Sequence, residues 1–475
     1  MKIKKGLKKL IKVLFILSVI GMFVGLTVLL IIIAQGGQVT PQGIEKTGNI
    51  RLYVEPSRDI NVFVNGEKVR LNDKRIENLK KGEYEIIIEK EGYSPWAKTV
   101  VVEEGIVKEL YATLFPAELQ LEQITTTDID QAFFSQDGNF VVYVVKNAAV
   151  EENGIWKLKL TQNTLSFVNN RPDKIYEIDE RLATLLDEDY TIDISLNNTK
   201  FVLSTPTAQW IYSMDKGTQP INMLAIERVG FMAEQYTWFE EGDSLILEKD
   251  KTIYEYEIAE NIAKIIYQFT NTEPIYAVNG RSLIFYANNL YYKYQNSQKE
   301  LLQTNVKSIL PKAEKLWLSS HDDNLLYVQS NSELYFIDLK RSIHKIGAYE
   351  LLELAPGGRG ALLLDPATNI ISLFGNEFIP AKNQIDTNII ILNENFDSTE
   401  QSYKWASDSS HVIYREDNKI YLIDLYGANS YKILESQQLD KPSYQLIKEA
   451  SEFIVLLSDS MKDDSSNLHK IALRK

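Results

Sequence analysis

The chain has 475 residues, 44% of them hydrophobic and 24% charged, enough apolar material for more than one packed core at roughly 150 residues per domain. Acidic residues outnumber basic ones by 65 to 51, for a formal charge of −14, the opposite of what a nucleic-acid binder carries. There is no cysteine, which excludes disulfides, thiolate metal sites and thiol catalysis, and the 26 Tyr, 18 Phe and 6 Trp suit a β-rich globular protein.

Six lysines fall within residues 1–12, with no acid among them, and the next 22 residues, 13–34, carry no charge. That run is long enough to cross a bilayer as a helix, and lysines on its N-terminal flank predict a cytoplasmic tail (1–12) and an extracytoplasmic bulk. A cleaved signal peptide is the rival reading, but its apolar region is shorter and Ala34-Gln35-Gly36-Gly37 is a poor cleavage site, so an uncleaved anchor is expected. Without those lysines the exported part carries about −20, which disfavours docking on anionic lipid. Residues 35–47, rich in glycine, read as a flexible tether.

From 48 to 116 the alternating runs 49–54, 60–64, 84–89, 98–102 and 107–113 predict a small β-sandwich, with Asn65-Gly66 as a hairpin turn. The opening Gly48, Ile50, Leu52, Val54 and Pro56, the Val62-Phe63-Val64-Asn65-Gly66 step, Leu79, Gly82 and Tyr84, and Lys90-Glu91-Gly92-Tyr93 with Trp96 resemble the PEGA domain. Pro56-Ser57-Arg58-Asp59 replaces the name-giving Pro-Glu-Gly-Ala, so the resemblance implies the fold and no ligand. Tyr93 and Trp96 read as packing residues.

Residues 117–475 contain a repeat: an apolar strand, a polar turn, a second apolar strand and a third strand of the Ile-Tyr-x-Ile-Asp-Leu type. The clearest copies are Trp405 to Tyr414 with Lys419 to Leu425, and Trp317 to Tyr327 with Leu334 to Leu339. Looser ones begin at Phe134, Ile194, Trp238, Val278, Leu354 and Leu446, and eight copies over 357 residues give about 45 each, the length of a propeller blade. The pattern resembles the WD40-like repeat of TolB-type β-propellers, which implies a scaffold that binds through its loops and channel. The predicted fold is therefore all-β: an N-terminal transmembrane helix, a PEGA-like sandwich and a β-propeller of about eight blades. Seven blades plus an insert is the alternative count, because 179–189 reads as a short inserted helix. The last unit ends after three strands, and Leu119 to Ile124 is expected to supply its fourth and latch the ring.

No catalytic, cofactor-binding or metal-ligating residue is assigned. Gly-x-Ser-x-Gly is absent, and the repeats run to Lys475, so an appended α/β-hydrolase domain is not expected. His321, His344, His411 and His469 sit singly in different units, and His321 and His411 are expected to be exposed turn residues. Asp137-Gly138-Asn139, Asp322-Asp323-Asn324 and Asp408-Ser409-Ser410 read as turns rather than calcium loops, Asp459 to Asp464 as a solvated loop, and Pro356 to Gly360 as a repeat turn rather than a phosphate cradle. The expected function is a non-catalytic, membrane-anchored binding protein that meets an envelope protein or polysaccharide through its propeller loops. The alternative is an envelope hydrolase acting on glycan or peptide through channel carboxylates.

Overall fold

The computed structural model describes residues 15–27, 37–40, 43–160, 171–225, 230, 232–270, 272–304, 309–320, 322–356, 360–375, 389–393, 401–406, 408–424, 429–436, 444–447, 452–458 and 466–473. Residues 15–27 are helical with exposed side chains. Among the described residues no helix is long and apolar enough to cross a membrane; the expected span, 13–34, runs beyond them at both ends, and residues 1–12 lie outside them. Within the expected tether, Gly37–Thr40 pairs antiparallel with Gly43–Lys46, so this glycine-rich stretch forms a hairpin.

The chain divides into two compact units. In the first, two sheets enclose a core that includes Ile50, Leu52, Ile86, Ile88 and Trp96. One sheet has the order Arg75–Leu79, Gly48–Glu55, Val107–Thr113, the other Glu67–Val69, Asn61–Val64, Gly82–Glu89, Trp96–Val102. Alternating burial along Gly48–Glu55 follows the side-chain period of a strand. Asn65 and Gly66 both take positive φ, 49° and 81°, as a two-residue hairpin of the primed type requires. Trp96 is fully buried and Tyr93 packs at the edge of the same core, as the sequence predicts. The strands Glu67–Val69 and Arg75–Leu79 escape a pattern search because each is short and mostly polar.

The second unit contains, among the described residues, eight four-stranded antiparallel sheets. Seven are simple meanders, the first being Gln131–Phe134, Phe140–Val145, Gly154–Lys159 and Asp173–Tyr176. Each matches one sequence repeat. The eighth sheet takes its outer strand from the start of the unit: Leu121, Glu122 and Gln123 pair with Ile471, Lys470 and His469. That expected latch removes an open edge.

The second strands explain how the sheets stack. They are apolar at consecutive positions because alternate residues serve opposite neighbours. Val142 and Val144 pack on the second sheet, whereas Val141, Tyr143 and Val145 pack against Ile454 and Leu456 of the eighth. Val202 turns to the third sheet, Ile246 to the fourth and Ile284 to the fifth, and Tyr327 meets Phe374 of the sixth. Gly360 of the sixth sheet lies against the Trp405 ring of the seventh. Contact thus passes from sheet to sheet, and the eighth packs on the first, which is the closure of a β-propeller. The helix Glu180–Leu186, capped by Asp179 accepting from the Leu182 N–H, adds Leu182, Leu185 and Leu186 between the first two sheets.

Candidate functional site

Where strands of neighbouring sheets approach most closely, it is first strand to first strand, so these strands surround the axis. They are Gln131–Phe134, Thr191–Ile194, Gln235–Phe239, Tyr276–Val278, Lys315–Leu318, Glu350–Leu354, Gln401–Trp405 and Tyr444–Ile447. Several carry charge towards the channel. Asp193 is exposed, yet the protein around it pushes its pKa up to about 6, against the opposing pull of the Trp238 indole N–H. A side chain lining a shaft has both properties, because water reaches it while protein surrounds it on most sides.

On the sixth and seventh first strands, half-buried Glu353 and exposed Lys404 form a second charged site. Burial raises the Glu353 pKa despite the Trp405 N–H, which donates to Oε2 at 2.9 Å, and the attraction of Lys404. Burial lowers the Lys404 pKa, opposed by Glu353. The pairing register skips Leu352, which bulges out 42% exposed and shifts the phase of its strand just before Glu353.

One rim consists of the turns between first and second strands. Burial alone would raise the Asp137 pKa, but Ser135, the Asn139 main chain and side chain, and Asn198 of the next sheet all donate to it and hold it below the ordinary value. The linkage continues from turn to turn. Gly242, at φ +105°, sits so close to the second sheet's turn that a Cβ would lie 2.9 Å from Asn197 Oδ1. Glu241 N–H donates to Gly280 O at 3.0 Å, Asn279 Nδ2 donates to Asp323 Oδ1 and Ser319 O at 2.9 Å each, and Ser320 donates to Pro356 O. Asp137 and Asp323 therefore fasten sheets together.

The opposite rim has its own fastenings. Tyr190 donates to Asp130 Oδ2 at 2.6 Å, and Lys146 pairs with the same carboxylate at 3.2 Å. Ser204 Oγ donates to the Tyr236 hydroxyl at 3.2 Å, and Tyr276 faces the Glu248 carboxylate.

The histidines stay dispersed. His411 is buried, not exposed as its turn position suggests: it opens the second strand of the seventh sheet, and its Nδ1 lies 2.7 Å from Asp408 Oδ2. His344 Nε2 bonds Ser342 Oγ at 2.6 Å, and His469 Nδ1 the Asn467 carbonyl at 3.0 Å. His321, residues 459–464 and residues 357–359 lie outside the described residues. Among the described residues, no group of three or more His, Asp or Glu side chains is placed to hold a metal ion. Sequence reading did not single out Asp193, Glu353 or Lys404, and marked Trp238 only as the start of a repeat copy. The signal at Asp193 is a charge between two isoleucines, Ile192 and Ile194, in a first strand.

Residues 47–118 match the PEGA domain family, close to the expected span. No curated protein matches the sequence. Similar solved structures include the WD40 domain of SCAP from fission yeast, at 10% identity and TM-score 0.42, covering 75% of this chain and 98% of that one. Oligogalacturonate lyase from Vibrio parahaemolyticus gives 8% identity and TM-score 0.37, covering 74% and 99%. The Cps50 (Swd1) β-propeller domain of Myceliophteria thermophila gives 10% identity and TM-score 0.36, covering 59% and 96%. The chain joins a PEGA domain to a β-propeller.

Proposed function

We propose that the protein is a non-catalytic, membrane-anchored binding scaffold whose PEGA domain presents an eight-bladed propeller outside the cell to a partner in the envelope. The anchor is the uncharged run 13–34, oriented by the six lysines before it. The observation that carries the binding reading is the way the carboxylates are used. Asp137 and Asp323 fasten sheet to sheet and Asp408 is held by His411, while charges remain on the first strands, facing the channel. A hydrolase acting through two carboxylates needs them roughly 5–10 Å apart. The first-strand acids Asp193 and Glu353, whose pKa values burial raises, belong to the second and sixth sheets and not to neighbouring ones. Full-length protein in detergent, used as bait on native envelopes, should capture a protein or polysaccharide saturably. Turnover of glycan or peptide with no capture would overturn the proposal.

A further inference from the structure

The strand that closes the propeller lies on the short piece of chain that leads out of the PEGA domain. That domain holds its own end of the chain firmly: Leu114, Phe115 and Pro116 are buried, Ser94 N–H donates to Phe115 O at 2.8 Å, and Ala117 N–H donates to Gly92 O at 3.0 Å. The closing strand, Leu121–Gln123, starts four residues after Ala117. Residues 118–120 are therefore all the slack in the chain, and fully extended they let Ala117 and Leu121 part by about 14 Å.

Beyond Leu121 the hold on the propeller changes within a few residues. Leu121, Glu122 and Gln123 are all exposed, and the 3.1 Å ion pair of Glu122 with Lys470 leaves the glutamate in solvent, where such pairs add little. Ile124 N–H, in contrast, donates to Leu468 O at 2.8 Å, and the buried Thr125 hydroxyl accepts from Leu468 N–H at 2.9 Å. Asp128 Oδ1 accepts from Ser466 N–H at 3.1 Å, and Ile129, in the core shared by the first and eighth sheets, donates its N–H to Ser466 O at 2.8 Å. A strand that buries no side chain opens locally more readily than a segment locked into a core. Residues 124–129 thus form a clasp that keeps the eighth sheet on the first whether or not 121–123 is paired.

We propose that Leu121–Gln123 is a releasable strap: a displacement of the PEGA domain that residues 118–120 cannot span peels it from Ser466–Ala472, while the clasp holds the ring closed. Release carries the free link on to Ile124 and lengthens its reach from about 14 to about 25 Å. On the anchored-scaffold reading above, the displacement comes from a captured partner pulling against the membrane. The strap itself is a property of this chain and is tested without a partner.

The test pulls full-length protein in detergent between DNA handles on Ser57→Cys and Thr218→Cys, exposed positions in the PEGA domain and the propeller of a chain with no cysteine of its own. The parent should lengthen reversibly by about 10 Å at a force below that of any larger event. Glu122 lies two residues before Ile124 and turns its N–H to the same partner strand, opposite Lys470. Glu122→Pro removes that donor and should abolish the early step while the larger events keep their forces. Glu122→Lys sets like charges opposite each other, and should keep the step and raise the released fraction several-fold at a given load. No early step, an unchanged step in Glu122→Pro, or an early step of tens of residues, in which the clasp opens with the strap, overturns the proposal. Envelope capture is read separately: no capture sinks the scaffold and leaves the strap, and no early step does the reverse.

Discussion

The Asp408 carboxylate and the His411 imidazole lie 2.7 Å apart in the turn that opens the second strand of the seventh sheet, both almost fully buried. Burial alone would raise the Asp408 pKa. His411, through its charge and its hydrogen bond, and the main-chain N–H groups of Ser410 and His411 outweigh that and hold it below the ordinary carboxylate value. Asp408→Asn removes the charge and mismatches one of these donors. It should cost about 1–3 kcal/mol, read as a lower Tm at pH 7. Because the folded pKa is depressed, this contribution is fully present above the unfolded value of 3.8 and is lost as the pH falls through the lower folded value. The difference in Tm between parent and variant should therefore shrink only in strong acid.

Asp193 should behave in the opposite way. Its folded pKa is raised from 3.8 to about 6, so between those values the folded protein holds a proton that the unfolded chain has released, and stability falls as the pH rises across that window. Asp193→Asn should flatten this slope and stabilise the protein at pH 7.5 by up to about 1 kcal/mol, a figure discounted for the solvent that reaches the group. Urea unfolding at pH 4.5 and pH 7.5 measures it, and a variant less stable at pH 7.5 contradicts the burial argument.

Ring closure depends on Thr125 as well as on the latch strand. Its hydroxyl accepts from Leu468 N–H at 2.9 Å and bonds Asn467 Oδ1 at 3.4 Å, so it ties the start of the unit to its last strand. Thr125→Val keeps the shape and strands both partners, at a cost of about 1–2 kcal/mol in thermal unfolding. No change would mean that the latch carries little of the stability.

Gly360 tests the packing of the sixth sheet on the seventh. A Cβ there would lie 2.8 Å from the far edge of the Trp405 ring, a ring that is itself buried. Gly360→Ala should therefore cost about 1–3 kcal/mol by overpacking, and Trp405→Leu in the same chain should recover part of it.

The absence of cysteine makes the proposed membrane topology directly testable. Ser57→Cys, at an exposed position in the PEGA domain, should react with an impermeant maleimide on intact cells, and Lys5→Cys only after permeabilisation. The reverse pattern would refute the N-in orientation.

The sequence by itself determined what depends on neighbours along the chain. Turn chemistry at Asn65-Gly66 and Asp137-Gly138, period-two burial in Gly48–Glu55, and the recurrence of paired apolar strands are local signals, and they located the PEGA domain and all eight sheets. Even the latch was legible, because a final unit one strand short implies a donor elsewhere. Only the tertiary structure decided which polar groups meet. A turn that reads as solvated buries His411 against Asp408, because the seventh sheet is covered on both faces. Asp193 and Trp238 are 45 positions apart and face each other only because two sheets are wedged side by side, a relationship set by packing between repeats that no pattern within one repeat encodes.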